Sequence, residues 1–154
     1  MGRWRDGRGV LRVVRAGEVD EGSGASPAAA DGGAGPRPAG AVPLEIAASY
    51  RARSRGLLGR DGIVGALLLS PASGVHTFRM RFAIDVAYLD RELTVIAVRT
   101  MRPGRLGLPR PRSRHVLEAE AGAMERWGLR PGVRVDIGPP PDCGTRATAG
   151  GSSP

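Results

Sequence analysis

Four ionisable side chains fall inside strand-like segments of the sequence: His76, Asp85, Asp90 and Glu118. His76 is in register with Phe78 and Met80. A half-buried imidazole there has a pKa that its surroundings can tune for acid–base work, whereas a His at a sheet edge does no more than bond to backbone. Asp85 falls on the side of Arg79 and Arg81, where an ion pair across one face is the plain reading. Glu118 lies on the Val116 side of its segment, and a buried Glu needs a cationic partner. Arg79 and Arg81 are the natural ones. If His76, Asp85 and Glu118 met in one concavity, they could share a small substrate or hold a divalent ion.

Stronger motifs are missing. There is no Gly-x-Ser-x-Gly elbow and no glycine loop ending in Lys-Ser or Lys-Thr. Arg55-Gly56-Leu57-Leu58-Gly59-Arg60 carries glycines without that spacing and reads as a helix end followed by a turn. One Cys and two His exclude a Cys/His zinc set and an internal disulfide framework. Cys143 has no His near it in sequence, so it is not read as a catalytic thiolate. No cofactor or metal is expected.

A second chemistry is suggested by charge. The chain has 154 residues and a net charge of +8, and every one of its 23 basic residues is Arg. Ala, Gly, Pro and Arg, the residues of G+C-rich codons, are abundant, so much of this charge reflects composition. Its distribution is uneven: residues 43–138 hold 16 Arg and nine acids, and Arg99, Arg102, Arg105, Arg110, Arg112 and Arg114 follow one another with no acid between them. Pro103, Pro109 and Pro111 exclude one helix there. The stretch is expected to be an extended loop or frayed hairpin, either simply solvated or contacting phosphate. Nucleic acid is thus a candidate partner, although the segment lacks aromatic rings for stacking on single-stranded bases.

The elements that must position these residues follow from periodicity. Residues 1–7 are expected to be flexible and 8–16 to form a first strand. The stretch Asp20–Ala41, built of Gly, Ala, Pro, Ser and charged residues without large apolar side chains, is expected to be a disordered insertion, and 139–154 a disordered tail. The folded unit is then 42–138. Val42, Leu44 and Ile46 alternate as a strand; Ser49 caps a helix over Tyr50–Leu58 that ends at Gly59; and Gly65–Leu69 is a buried strand. Between His76 and Tyr88 large side chains fall on alternate positions, which predicts one long strand bent near Phe82-Ala83. Asp90-Arg91-Glu92 turns it into a hairpin with Leu93–Val98. His115–Ala121 is a strand, Gly122–Trp127 one or two helical turns, and Val133–Ile137 the last strand.

Taken together, Arg55–Arg60, the run Val75–Asp90, Val116-Leu117-Glu118-Ala119 with Gly122, and Trp127–Gly132 resemble the domain of unknown function family 192. The resemblance covers about 43–138. It implies a compact, mostly β domain widespread in bacteria and archaea, with no settled activity and no catalytic residues to carry over. Two departures stand out: Ala83 occupies the place where relatives usually have Pro, and the stretch from Met80 to Asp85 is short.

The expected fold is mainly β, a small antiparallel β-sandwich or barrel with two short helices. The expected function is that of a non-catalytic binding or accessory module for an unknown ligand or protein partner. The alternatives are an enzyme using His76 with Asp85 or Glu118, and an anion or nucleic-acid binder using Arg99–Arg114. The sequence shows no secretory or myristoylation signal and no apolar run long enough to span a bilayer, so the expected compartment is the cytoplasm.

Overall fold

The structure, a computed structural model, describes residues 4–14 and 40–140. The expected insertion, apart from its last two residues, and the tail beyond Pro140, with Cys143, lie outside the described residues. The fold is mainly β. Seven strands form one curled sheet: β1 (Gly7–Val14), β2 (Val42–Ala47), β3 (Ala66–Leu69), β4 (Ile84–Leu89), β5 (Val95–Met101), β6 (His115–Glu120) and β7 (Arg134–Gly138). Two short helices, α1 (Tyr50–Arg55) and α2 (Ala123–Arg126), complete it. The strand order is β5-β4-β6-β3-β2-β1-β7.

The sheet curls until its ends meet at one point. Thr94 bridges Arg134, the Val95 amide donates to the Val133 carbonyl, and the Val135 amide donates to the Leu93 carbonyl. Farther along, β5 and β7 part. The concave side holds one apolar core, with Leu11, Leu44, Leu68, Leu89, Leu117 and Val135 pointing inward. Where β5 and β7 diverge, α2 enters with Ala123 and Met124 buried in the same core. It acts as a plug for that end of the barrel. The convex side carries a second core, including Leu67, Val86, Tyr88 and Val116, beneath α1 and the segments before β4 and after β5.

Two features differ from the sequence reading. One neighbouring pair, β2 and β3, runs parallel. Its connection passes through α1, a helix of only six residues, showing that a short helix with a long turn can make the crossover. At Gly65, φ is +77° and a Cβ would lie 2.1 Å from the Pro43 carbonyl oxygen, so the crossover enters β3 at a place where only glycine fits.

The other difference concerns the long strand expected over His76–Tyr88. Only Ile84–Leu89 is strand. Thr77 and Met80 close a turn, with the Met80 amide donating to the Thr77 carbonyl, and Arg79 takes a left-handed φ of 61°. Within β4 every residue is buried, because the central sheet is covered on both faces. The alternation of large and small side chains there reflects two apolar cores and not one wet face.

Helix α1 starts as its sequence dictates. The Ser49 side chain accepts the Ala52 amide, but the helix stops at Gly56, where φ is 43°, and not at Gly59 as its sequence suggests. Asp6, just before β1, accepts the amides of Ala48 and Ser49 at 2.6 and 2.8 Å. The Ser49 side chain foremost, and then these two amides, hold the Asp6 carboxyl below the usual carboxylate range. They tie the start of the described chain to the start of α1.

Candidate functional site

Strand β6 lies between β4 and β3, so each side chain on its convex face is enclosed by neighbours. Glu118 is one of these. It pairs with Val86 on β4 and Leu67 on β3, both apolar. Above it lie the end of α1 and the segment Pro71–Met80. Between them is a pocket of about 280 Å³, with Leu57, Leu69, Val75 and Met80 in its walls, His76 at its rim and Glu118 at its floor. Glu118 is only 4% exposed. Among the described residues its carboxylate has no hydrogen bond or ion pair. Burial without compensation pushes its pKa up to about 7.

The arginines expected to neutralise Glu118 are elsewhere. Arg79 is exposed at its turn. Arg81 is exposed and pairs with Asp61 at 2.7 Å. Both belong to the segment that leaves the sheet plane before Ile84, so they cannot point along β4 as a continuous strand would require.

His76, Asp85 and Glu118 do not converge. Asp85 is on the concave face: its Oδ1 accepts the Thr100 hydroxyl at 2.6 Å, and its Oδ2 accepts the amides of Gly122 and Met124 at 2.8 and 3.1 Å. It is 3% exposed. Its task is to hold α2 in the barrel end. The sheet therefore stands between Asp85 and Glu118, so the two carboxylates face opposite cores and do not share one pocket with His76. Among the described residues no three His, Cys, Asp or Glu side chains are grouped to hold a metal ion. While Met80 is buried, His76 itself is exposed, not half-buried, and shares an open side with Phe78. It bridges Leu106, and its ring stacks on Phe78 with centroids 5.3 Å apart. Buried positions in this segment are Val75, Thr77 and Met80, the opposite parity at its start. Asp90 is a turn residue whose Oδ1 accepts the amides of Glu92 and Thr94, both at 2.9 Å. His115, the second imidazole, lies on the concave side with its Nδ1 2.8 Å from the Ser70 hydroxyl oxygen. Burial lowers its pKa.

The six arginines of the acid-free stretch divide into two groups. Arg99, Arg102, Arg105 and Arg110 line a cleft of about 500 Å³ together with Tyr88. Arg112 and Arg114 lie in another concavity with Asp90, Arg91 and Glu92. Arg99, with Thr100 and Met101, belongs to β5; from Arg102 to Arg114 the stretch is loop, bridged once to His76 at Leu106.

Three residues of these sites are not evident from sequence. Arg53 lines the Glu118 pocket and donates to the carbonyls of Ala48 and Ser70 at 2.8 and 3.4 Å. Thr77 fastens the pocket rim to the arginine loop: its hydroxyl donates to the Arg102 carbonyl at 2.6 Å and accepts the Arg105 amide at 2.8 Å. Tyr88 forms part of the arginine cleft. For Tyr88 a signal exists, since it stands at the end of an apolar strand beside a charged turn; Thr77 binds partners 25 and 28 residues away, and the tie of Arg53 to Ser70 spans 17.

Comparison with known proteins agrees with this architecture. The chain resembles a UPF0127 protein of Pyrococcus abyssi (strain GE5 / Orsay), at 31% identity over 62% of this chain and 80% of that protein. A UPF0127 protein of Pyrococcus horikoshii is 30% identical over 53% of this chain and 76% of its own length. Among solved structures, a candidate transcription regulator from Sinorhizobium meliloti 1021 superposes with a TM-score of 0.63 over 88% of this chain and 98% of that one, at 16% identity. A protein of unknown function from Novosphingobium aromaticivorans DSM 12444 gives 0.59 over 82% and 83%, also at 16%. At that identity the likeness is one of fold. No helix among the described residues is long and apolar enough to cross a membrane. The sequence profile of DUF192, described as "Uncharacterized ACR", matches residues 35–137, and the chain belongs to that family.

Proposed function

We propose that the domain is a binding module for a small, largely apolar molecule that presents a hydrogen-bond donor to Glu118. The observation that carries this reading is a carboxyl without a hydrogen-bond partner at the floor of a pocket walled by Leu57, Leu69, Val75 and Met80, with Arg53 tied to the backbone carbonyls of Ala48 and Ser70. Ligand sites commonly combine such walls with a few polar groups that fix orientation. A volume of about 280 Å³ is at the small end of the usual range of roughly 300–1,000 Å³, which favours a compact ligand. A primary amine or an alcohol supplies the donor that Glu118 lacks.

The two classes differ in their pH dependence. An amine cation must meet the ionised carboxylate, so its binding releases the Glu118 proton below about pH 7. Its affinity should rise about tenfold per pH unit between pH 5 and 6.5 and then level off. A neutral alcohol should show no such rise. Thermal-shift titration of short branched amines and alcohols checks this. At least one class should raise the melting temperature of the native chain, and the effect should vanish in Glu118→Met. If no compound of either class acts, or the shift survives in the variant, the reading fails.

A second reading uses the same pocket. A carboxyl titrating near neutrality suits general acid–base catalysis, and His76 stands at the opening. Turnover of an ester, phosphate or glycoside that is lost in both His76→Ala and Glu118→Gln would favour it over binding alone.

A further inference from the structure

We propose that the cleft ringed by Arg99, Arg102, Arg105 and Arg110 is a second, separate site that binds a small polyanion of the pyrophosphate class. Four guanidinium groups line one concavity with no acidic side chain among its walls. Elsewhere on the molecule arginines do find acids: Arg60 meets Glu45 through two bonds of 2.9 Å, and Arg81 meets Asp61. Among the described residues none of the four cleft arginines has a carboxylate within 4 Å. Like charges gathered in a cleft raise the local potential and draw counter-ions to it.

Arg110 gives the clearest sign. Its guanidinium lies over the Tyr88 ring, 5.0 Å from the centroid, a cation–π contact that fixes the group in place. Yet its Nε is buried with no hydrogen-bond partner among the described residues. A buried N–H without an acceptor is costly, and an anion drawn to the outer nitrogens of the same guanidinium would add charge-assisted hydrogen bonds to a group already fixed in place.

The loop that carries these arginines is held firmly. The Thr77 amide donates to the Arg105 carbonyl at 2.7 Å, the Gly104 amide to the Thr77 carbonyl at 2.7 Å, and the Gly107 amide to the Val75 carbonyl at 2.8 Å. Gly107 lies so close to Tyr88 that a Cβ would stand 2.6 Å from the phenol oxygen. Side chains on a pinned loop lose less freedom on binding than those on a free one.

Shape separates a small ligand from a nucleic acid. A hollow of about 500 Å³ has the dimensions of a ligand site, whereas duplex readout needs an element that protrudes into a groove. Tyr88 is 2% exposed and offers no face for base stacking. Arginine forks match phosphate oxygens in pairs, and two linked phosphates satisfy more than one fork at once.

The test is calorimetric titration of the full chain with inorganic pyrophosphate, with ADP and with a 20-base-pair DNA duplex, at 50 and 200 mM salt. Pyrophosphate should bind at 50 mM salt, and the Arg99→Gln/Arg102→Gln double variant should weaken it at least tenfold without changing the melting temperature. Arg112→Gln/Arg114→Gln and Glu118→Gln should leave it unaltered, which keeps this site distinct from the Glu118 pocket. Whichever of pyrophosphate and ADP binds more tightly identifies the inorganic or the nucleotide source. Absence of pyrophosphate binding, binding that ignores the Arg99/Arg102 change, or tighter binding of the duplex than of either small polyanion would overturn the proposal.

Discussion

Replacing Glu118 with Met should make the domain more stable at pH 8 by roughly 3 kcal/mol. Burial raises the folded-state pKa of Glu118 from 4.5 to about 7. Below pH 4.5 the carboxyl is protonated whether the chain is folded or not, and the group is neutral to stability. Between pH 4.5 and about 7 only the unfolded chain ionises, so stability falls as pH rises. Above pH 7 the loss is complete; every tenfold weakening of the acid on folding costs about 1.4 kcal/mol. Met fills similar volume and has nothing to ionise. Urea denaturation of both proteins at pH 5 and pH 8 reads the effect: their difference should be within about 1 kcal/mol at pH 5 and near its full size at pH 8. His115, whose lowered pKa takes stability away as the pH falls, is common to both proteins and cancels from the comparison. An equal difference at the two pH values would refute the assignment. A fold that keeps so costly a group at the base of a pocket is expected to use it.

The second large effect belongs to Asp85. Asp85→Ala should cost roughly 3–5 kcal/mol, because it strands the Thr100 hydroxyl and the amides of Gly122 and Met124 in the barrel end. The loss should be local at first. Trp127 ends α2 and packs against the concave core, so its fluorescence should change before the sheet unfolds. Asp85→Asn keeps one acceptor oxygen and should fall between the two. A variant within about 1 kcal/mol of the native chain would remove Asp85 from the role of anchor.

How far the sequence can be read depends on how local the determining contacts are. The strand of Val42, Leu44 and Ile46, the Ser49 cap and the hairpin at Asp90 are fixed by residues a few positions apart, and each is found where its spacing places it. The segment before β4 is different. Its large side chains alternate, but the turn at Thr77–Met80 is stabilised by the Arg102–Arg105 backbone, a partner some 25 residues away. The place of Asp85 is hidden from sequence for the same reason. A face that Arg79 and Arg81 suggest is wet is in fact the inside of the barrel. The side on which Glu118 stands is legible, since it shares the parity of Val116. That it has no cationic partner is not, because an empty neighbourhood leaves no trace in a sequence.

Among the described residues, strand β5 pairs along its length only with β4, its contact with β7 being confined to its start and the Thr94 bridge just before it. A free edge of this kind is a template on which a second molecule can add a strand and begin an aggregate. Arg99, within β5, and Arg102, just past its end, place two positive charges along that border. Two copies meeting edge to edge would have to bring those charges together. Like charges along that border oppose such pairing, and an anion seated between them would relieve the opposition.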